Sequence, residues 1–435
     1  MDSPDYLYRI DDRPPFWRGV LYGLQWAAIM FPSLLIVANL CSGALGFVAG
    51  AEIRFLQWSL LISGAFCAVQ SLWGHRYPLL DGPATALLLT FIALAPHGIA
   101  AIQGGLIFGG LLLVGISLTR VLPRLTRIFT PNVVGVILLL IAFTLLPHLV
   151  PRLIGVDPAH PHGQYAIFTI SVALVLLIAT LSRWLNGFWQ TLAMFLGIVL
   201  GTLLFGLLGR LDWQSVGEAR WVAVPDQWMP ALPVFYWPAL LAFALAYLAV
   251  VVNSLGSIQG IASITDLNRL PTALNRGILV NGLAGICCGL VGIVGLVSYS
   301  MSPGVVLISR VASRFTIAFC GVILMLAALL PKLAALLAIV PAPVVGAALC
   351  VGLGGQVGAG LQIITAGGRR LSGRDYLVVG LPVILGTVIS LLPPPFLADL
   401  PTGLQVLLGN GLIVGIVLVL PLEHLLLRES KKSVK

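Results

Sequence analysis

Long apolar runs recur from one end of this 435-residue chain to the other, at residues 133–147, 166–181 and 376–392 among others. Hydrocarbon offers a backbone no hydrogen-bond partner, so a chain that crosses it must be helical or a closed barrel. A helix needs about 20 residues to cross. Composition agrees: 59% of the residues are hydrophobic and 9% charged, against roughly 25% charged in soluble domains. The runs predict fourteen spans, near residues 17–41, 58–74, 78–97, 99–119, 131–150, 165–182, 189–208, 236–262, 277–291, 292–309, 315–331, 341–364, 376–394 and 402–426. The loops between them are too small for a separate soluble domain. No cleavable signal peptide is expected, because the first residues are acidic and polar and the first apolar run is long enough to span.

Charge placement supports this count. With the N-terminus in the cytoplasm, nineteen of the 24 Lys and Arg residues fall on the cytoplasmic side; Arg54, Arg152, Arg210, Arg220 and Lys332 fall outside. The positive-inside rule predicts such a bias. The net charge of +9 therefore reads as topology and not as nucleic-acid binding. Nine of the ten Trp lie near predicted span ends or in loops, Trp26 being the exception, as interfacial belts require. The six Cys lie in or at the edge of apolar segments without C-x-x-C spacing, so they read as buried free thiols. Asp157, His160 and His162 share a loop, which reads as a chance surface cluster. No catalytic dyad, metal cluster or phosphate loop is present in the pattern, so neither an enzyme nor a cofactor is expected.

Two apolar segments are broken by Gly and Pro: Pro78-Leu-Leu-Asp81-Gly82-Pro83-Ala-Thr85, and Ser298-Tyr299-Ser300-Met301-Ser302-Pro303-Gly304. They lie about 220 residues apart, half the chain. Paired broken segments in two halves of a membrane protein point to a substrate site near the bilayer midplane. A second echo agrees: Phe129-Thr-Pro131-Asn-Val-Val-Gly135 returns as Val340-Pro-Ala-Pro343-Val-Val-Gly346, 211 residues later. Seven spans per half force the second copy upside down, the inverted-repeat plan of secondary transporters. The halves should meet in the Trp-rich exterior loop at 210–233. Pro is favoured in the first turn of a helix and Ser at its cap. Ser302-Pro303-Gly304 and Gly82-Pro83 therefore read as the starts of two half-helices, with 77–80 and 294–300 extended before them. Two helix N-termini facing each other suit an anion or a planar ligand rich in acceptors.

Over nearly its whole length the chain resembles the nucleobase–ascorbate transporters, the xanthine/uracil permeases. Gly23-Leu-Gln25-Trp26 is similar to the family's L-Q-H opening, the two V-V-G segments to its fifth and twelfth spans, and Leu404-Gln405-Val-Leu-Leu-Gly409-Asn410-Gly411 to its last. The tenth-span signature, roughly [Q/E]-N-x-G-x-x-x-x-T-[R/K], falls on Met301-Ser302-Pro303-Gly304 through Ser309-Arg310. The resemblance implies a cytoplasmic tail (1–16), a core domain (17–119 and 233–332), a gate domain (120–232 and 333–427) and a C-terminal tail (428–435). It further implies substrate held between the third, eighth and tenth spans, a homodimer in the cell (inner) membrane, and both termini cytoplasmic.

The chain departs from the family at the chemistry. Asn253 stands where many members carry an eighth-span carboxylate, Ser257 near the place of a His, Met301 and Ser302 in the signature, and Trp26 at the first-span His. Asn253 and Ser257, four residues apart, share a helical face, and an amide suits a nucleobase edge. Met301 and Trp26 read as walls of an apolar slot or as simple packing. Thr85 and Ser33 complete the candidate substrate contacts. Asp81 is the clearest ionisable group at a broken segment, hence a candidate proton carrier, or else a helix cap or a partner of Arg76. Glu423 is expected at the membrane interface. The resulting expectation is a proton symporter for a purine or pyrimidine nucleobase; a sulfate-type anion transporter of the same plan and an uncoupled facilitator are the alternatives.

Overall fold

The computed structural model describes residues 6–47, 49–119, 128–156, 160–365, 371–401, 404–405 and 408–427. Asp157, nine of the basic residues counted above and the expected tail at 428–435 lie outside the described residues. The chain is a helical bundle with one two-stranded sheet at its centre. In order it runs α1 (Phe16–Leu45), α2 (Ala49–Leu72), β1 (Asp81–Pro83), α3 (Thr85–Ala93), α4 (Ile99–Leu118), α5 (Pro131–Thr144), α6 (Leu146–Leu153), α7 (Tyr165–Trp184) and α8 (Ala193–Leu207). A second half follows: α9 (Trp237–Ile264), α10 (Leu270–Val291), β2 (Leu296–Ser298), α11 (Ser302–Ser309), α12 (Phe315–Ala328), α13 (Pro331–Ala338), α14 (Ala342–Ile364), α15 (Gly373–Ser390) and α16 (Gly411–Pro421). Among the described residues nine helices are long and apolar enough to cross a membrane, or ten if α12 and α13, bent by 91°, count as one. Helices α8 and α16 are apolar but shorter. The boundary expected at 332/333 falls inside α13.

Local chemistry sets the ends. Thr130 caps α5 by accepting from the Val133 N–H, with Pro131 in the first turn. Ser372 and Asp375 form a reciprocal capping box on α15. Gly46 and Gly292 end α1 and α10 at φ 65° and 72°, left-handed conformations that glycine adopts at little cost. Asn410 accepts from Leu412 and Ile413 N–H, so α16 starts at Gly411.

The sheet joins the halves. β1 and β2 pair antiparallel, Asp81 with Ser298, Gly82 with Val297 and Pro83 with Leu296. This differs from the expected half-helix starts: Gly82 and Pro83 belong to a strand, and α3 begins at Thr85 after Ala84, whose N–H donates to Gly295 O. A two-stranded ribbon leaves each strand a free edge, where Pro's missing N–H costs nothing. Pro303 and Gly304 do lie in the first turn of α11, which opens at Ser302 with Met301 before it.

Glycines let the halves cross closely. A Cβ on Gly64 of α2 would stand 2.6 Å from Gly321 O of α12, and one on Gly321 2.5 Å from Gly64 O. Gly110 of α4 and Gly282 of α10 show the same reciprocal contact, at 2.7 and 2.8 Å. Gly135 of α5 faces Gly360 O of α14, and Gly346 of α14 faces Arg152 of α6. Both V-V-G segments thus mark crossings of the fifth and twelfth expected spans.

Two polar clusters tie elements together. The N-terminal segment straps the second half: Tyr8 bridges Val311, Ala312 N–H donates to Tyr8 O and Arg314 N–H to Ile10 O. Asp11 pairs with both Arg269 and Arg314. The Arg269 hydrogen bond, then that of Arg314, holds the Asp11 carboxyl down at about 2 against partial burial. In the other cluster Arg374 pairs with Asp375 and Glu423, and Asn132 donates to both carboxylates. Glu423, expected at the interface, is buried, and its carboxylate meets the half-buried Arg374 guanidinium at 2.8 Å.

Candidate functional site

A cavity of about 450 Å³ opens between two groups of elements. On one side stand α1 (Ile29, Ser33, Val37), the β1–α3 junction (Pro83, Ala84, Thr85), α9 (Val250, Asn253) and the β2–α11 junction (Tyr299, Ser300, Met301). On the other stand α5 (Leu138, Ile141), Met194 of α8 and α14 (Leu349, Gly352, Gly355, Gln356, Ala359). The volume suits a small organic ligand. None of the lining residues is charged.

The broken segments explain why the cavity is there. α3 and α11 are short because β1 and β2 intervene, and both helices present their N-terminal turns to the space. Those turns carry N–H groups without intrahelical acceptors and a partial positive charge. Pro32 lies inside α1 beside Ser33; its ring removes a backbone donor from that turn.

Among the residues singled out in the sequence, Ser33, Thr85, Asn253 and Met301 line the cavity. The Asn253 side chain is half-buried and makes no hydrogen bond to any described residue; only its carbonyl is used, accepting from Ser257 Oγ at 2.7 Å. Thr85 opens α3 at the wall. Met301 is 46% exposed there. Ser257 lies outside the lining; its hydroxyl is shared between Asn253 O and Ser298 O (2.9 Å), tying α9 to β2. Ser302 is fully buried, its hydroxyl accepting from Leu80 N–H at 3.1 Å. Trp26 is buried in a core with Met30, Leu60 and Val306.

Asp81 lies behind the cavity wall, fully buried in β1. It neither caps α3, whose N-cap is Ala84, nor pairs with Arg76, which is exposed. Its partners are His75 and Ser298. Tyr299, which follows β2 and lines the cavity, donates to Pro83 O at 3.2 Å. Three residues at the site escaped the sequence reading. His75 sits in a turn with no periodic signal. Tyr299 was visible only as part of the broken motif. Gln356 sits in a glycine-rich helix that has no distinct polar face. Among the described residues no group of three His, Cys, Asp or Glu is placed to hold a metal ion.

The chain is 28% identical to the uric acid permease PucK of Bacillus subtilis (strain 168) over 403 residues, 91% of this chain and 92% of that one. It is 26% identical to the nucleobase transporter PlUacP of Paenibacillus larvae subsp. larvae, over 94% and 95% of the two chains. It is 24% identical to the xanthine permease of Bacillus subtilis, over 93% and 92%. Among solved structures, the transmembrane domain of a cyanobacterium bicarbonate transporter, BicA, superposes with TM-score 0.63 at 20% identity, covering 88% of this chain and 99% of that one. Murine Slc26a9, an anion transporter in the inward-facing state, gives 0.61 at 14% identity over 95% of this chain and 69% of its own. These two likenesses show the fold. Residues 18–394 match the profile of the Permease family, and the chain belongs to that family, the xanthine/uracil permeases, as a multi-pass membrane protein.

Proposed function

We propose that this permease imports a purine or pyrimidine nucleobase across the cell (inner) membrane by proton symport, with both termini in the cytoplasm. The observation that carries the reading is Asn253: a side-chain amide without a hydrogen-bond partner among the described residues, at the wall of an uncharged, largely apolar cavity. A slot of this kind suits a flat neutral ring whose edge mixes donors and acceptors. The relatives' uric acid, xanthine and nucleobase substrates support it. Asp81, the buried carboxylate of the broken segment, is the proton carrier in this reading.

The reading extends to motion. The chain crosses the membrane fourteen times, as two inverted seven-span repeats with β1–α3 and β2–α11 as spans three and ten. The reciprocal glycine crossings support this, because they pair α2 with α12 and α4 with α10 as an inverted repeat requires. A core of α1–α4 and α9–α12 then moves against a gate of α5–α8 and α14–α16, and the cavity lies along their boundary. Uptake of labelled uracil, xanthine, hypoxanthine, guanine and sulfate by cells expressing the chain tests the substrate class. A nucleobase is expected to enter. Sulfate uptake without any nucleobase would instead favour an anion carrier, which the paired helix starts also suit.

A further inference from the structure

The transport reading uses Asp81 but leaves His75 without a role. Both are buried, at 0% and 1% exposure. The Asp81 carboxylate accepts from the Ser298 hydroxyl at Oδ1 (2.6 Å) and meets His75 Nε2 at Oδ2 (3.0 Å). On the far side of the ring, the Tyr77 backbone N–H donates to His75 Nδ1 at 3.0 Å. That bond determines the state of the ring. A nitrogen that accepts carries no proton, so the proton of the neutral imidazole is on Nε2 and points at the carboxylate. A second proton finds no place on Nδ1 while the Tyr77 N–H occupies its lone pair.

The turn is shaped around this bond. Arg76, between His75 and Tyr77, has φ 59°, a conformation uncommon outside glycine. Gln70 of α2 accepts from both His75 N–H (3.3 Å, at Oε1) and Arg76 N–H (3.0 Å, at its carbonyl). Other titratable groups near the pair are few. Cys67 of α2 donates to the Asp81 carbonyl at 3.1 Å, with Cys320 of α12 behind it. Tyr299 approaches from the end of β2, and Tyr77 stacks on the ring at 6.4 Å. From α10 the neighbour is Gly277, which does not titrate. Among the described residues no Lys or Arg pairs with Asp81.

We propose that the coupling proton binds Asp81 at Oδ1, and that His75 is the positioning residue that reserves Oδ2 by donating to it in both states. The step is balanced within the cluster. A hydronium ion in the cavity gives up one O–H bond, leaves as water, and its proton forms an O–H bond at Oδ1. Ser298 Oγ changes from donor to acceptor, and its own hydroxyl proton rotates away from the carboxylate. His75 keeps its Nε2–H. Release on the other side of the membrane is the reverse. Asp81 and Ser298 are cross-strand partners, so loading the proton alters the junction from which α3 and α11 both spring. The inference rests on the proton-symport reading.

The test is nucleobase uptake as a function of pH for wild type, His75→Ala, His75→Gln and Ser298→Ala, each normalised to inserted protein. His75→Ala removes the donor that faces Oδ2. The midpoint of the pH dependence should rise by about one unit. His75→Gln, which restores an N–H donor toward Oδ2, should return it toward wild type. If His75→Ala fails to insert, Ser298→Ala carries the same test at Oδ1, with a rise in the same direction. A midpoint unmoved in His75→Ala, or moved equally by His75→Gln, overturns the role of His75, and a midpoint unmoved in Ser298→Ala overturns proton binding at Oδ1. A wild type indifferent to pH and to the proton gradient overturns the symport reading, and this inference with it.

Discussion

Asn253 carries the substrate reading, and its replacement is correspondingly informative. Asn253→Ala should raise the half-saturation constant of the transported nucleobase about 5- to 150-fold, the equivalent of roughly 1–3 kcal/mol for a buried partner left unpaired. Unchanged affinity in a well-inserted variant would assign the amide to helix packing. Sequence spacing placed Asn253 and Ser257 on one face of α9. Spacing alone does not say where along that face the neighbouring chain crosses. One turn beyond Asn253, β2 passes close enough to take the Ser257 hydroxyl at Ser298 O. Trp26 shows the same gap, since its side of α1 meets α2 and α11 residues and not the cavity. His75 was illegible for another reason. It lies six residues before Asp81, and only the path of the intervening turn brings the two side chains to 3.0 Å.

The broken segments were legible because Gly and Pro interrupt apolar runs that otherwise continue. Their internal register was not. Pro83 reads locally as a helix start, yet pairing with Leu296 holds it in a strand, a non-local contact that outweighs the local preference. The close crossings were equally hidden, because a glycine in an apolar helix names no partner, whereas the structure pairs Gly64 with Gly321 and Gly110 with Gly282. Several hydrogen bonds join the proposed core to the proposed gate. Asn410 at the start of α16 donates to Thr90 of α3 at 3.0 Å, and Arg152 of α6 reaches Asn39 of α1 at 2.8 Å. If these elements separate during transport, a Thr90→Cys/Asn410→Cys pair joined by a bifunctional reagent should stop uptake. A reducible reagent should then allow recovery. Full-rate uptake by the cross-linked protein would contradict the moving-domain account.

The fold as a whole does not choose a substrate. The same architecture holds a bicarbonate transporter and an anion transporter at 20% and 14% identity, so function is decided by what lines the site. Here the wall is uncharged, its amides come from α9 and α14, and the buried Asp81 carboxylate lies behind it, paired with His75. That combination separates binding from coupling, and the separation can be measured. Purified wild type and Asp81→Asn are reconstituted in liposomes, and labelled nucleobase is followed under an inward proton gradient and in gradient-free counterflow. Asp81→Asn keeps the size and much of the hydrogen bonding of the carboxylate but cannot titrate. The account predicts that wild type accumulates substrate until a protonophore is added, while Asp81→Asn exchanges substrate in counterflow and accumulates none. Accumulation by Asp81→Asn equal to wild type, or a wild type unaffected by the gradient, would contradict it.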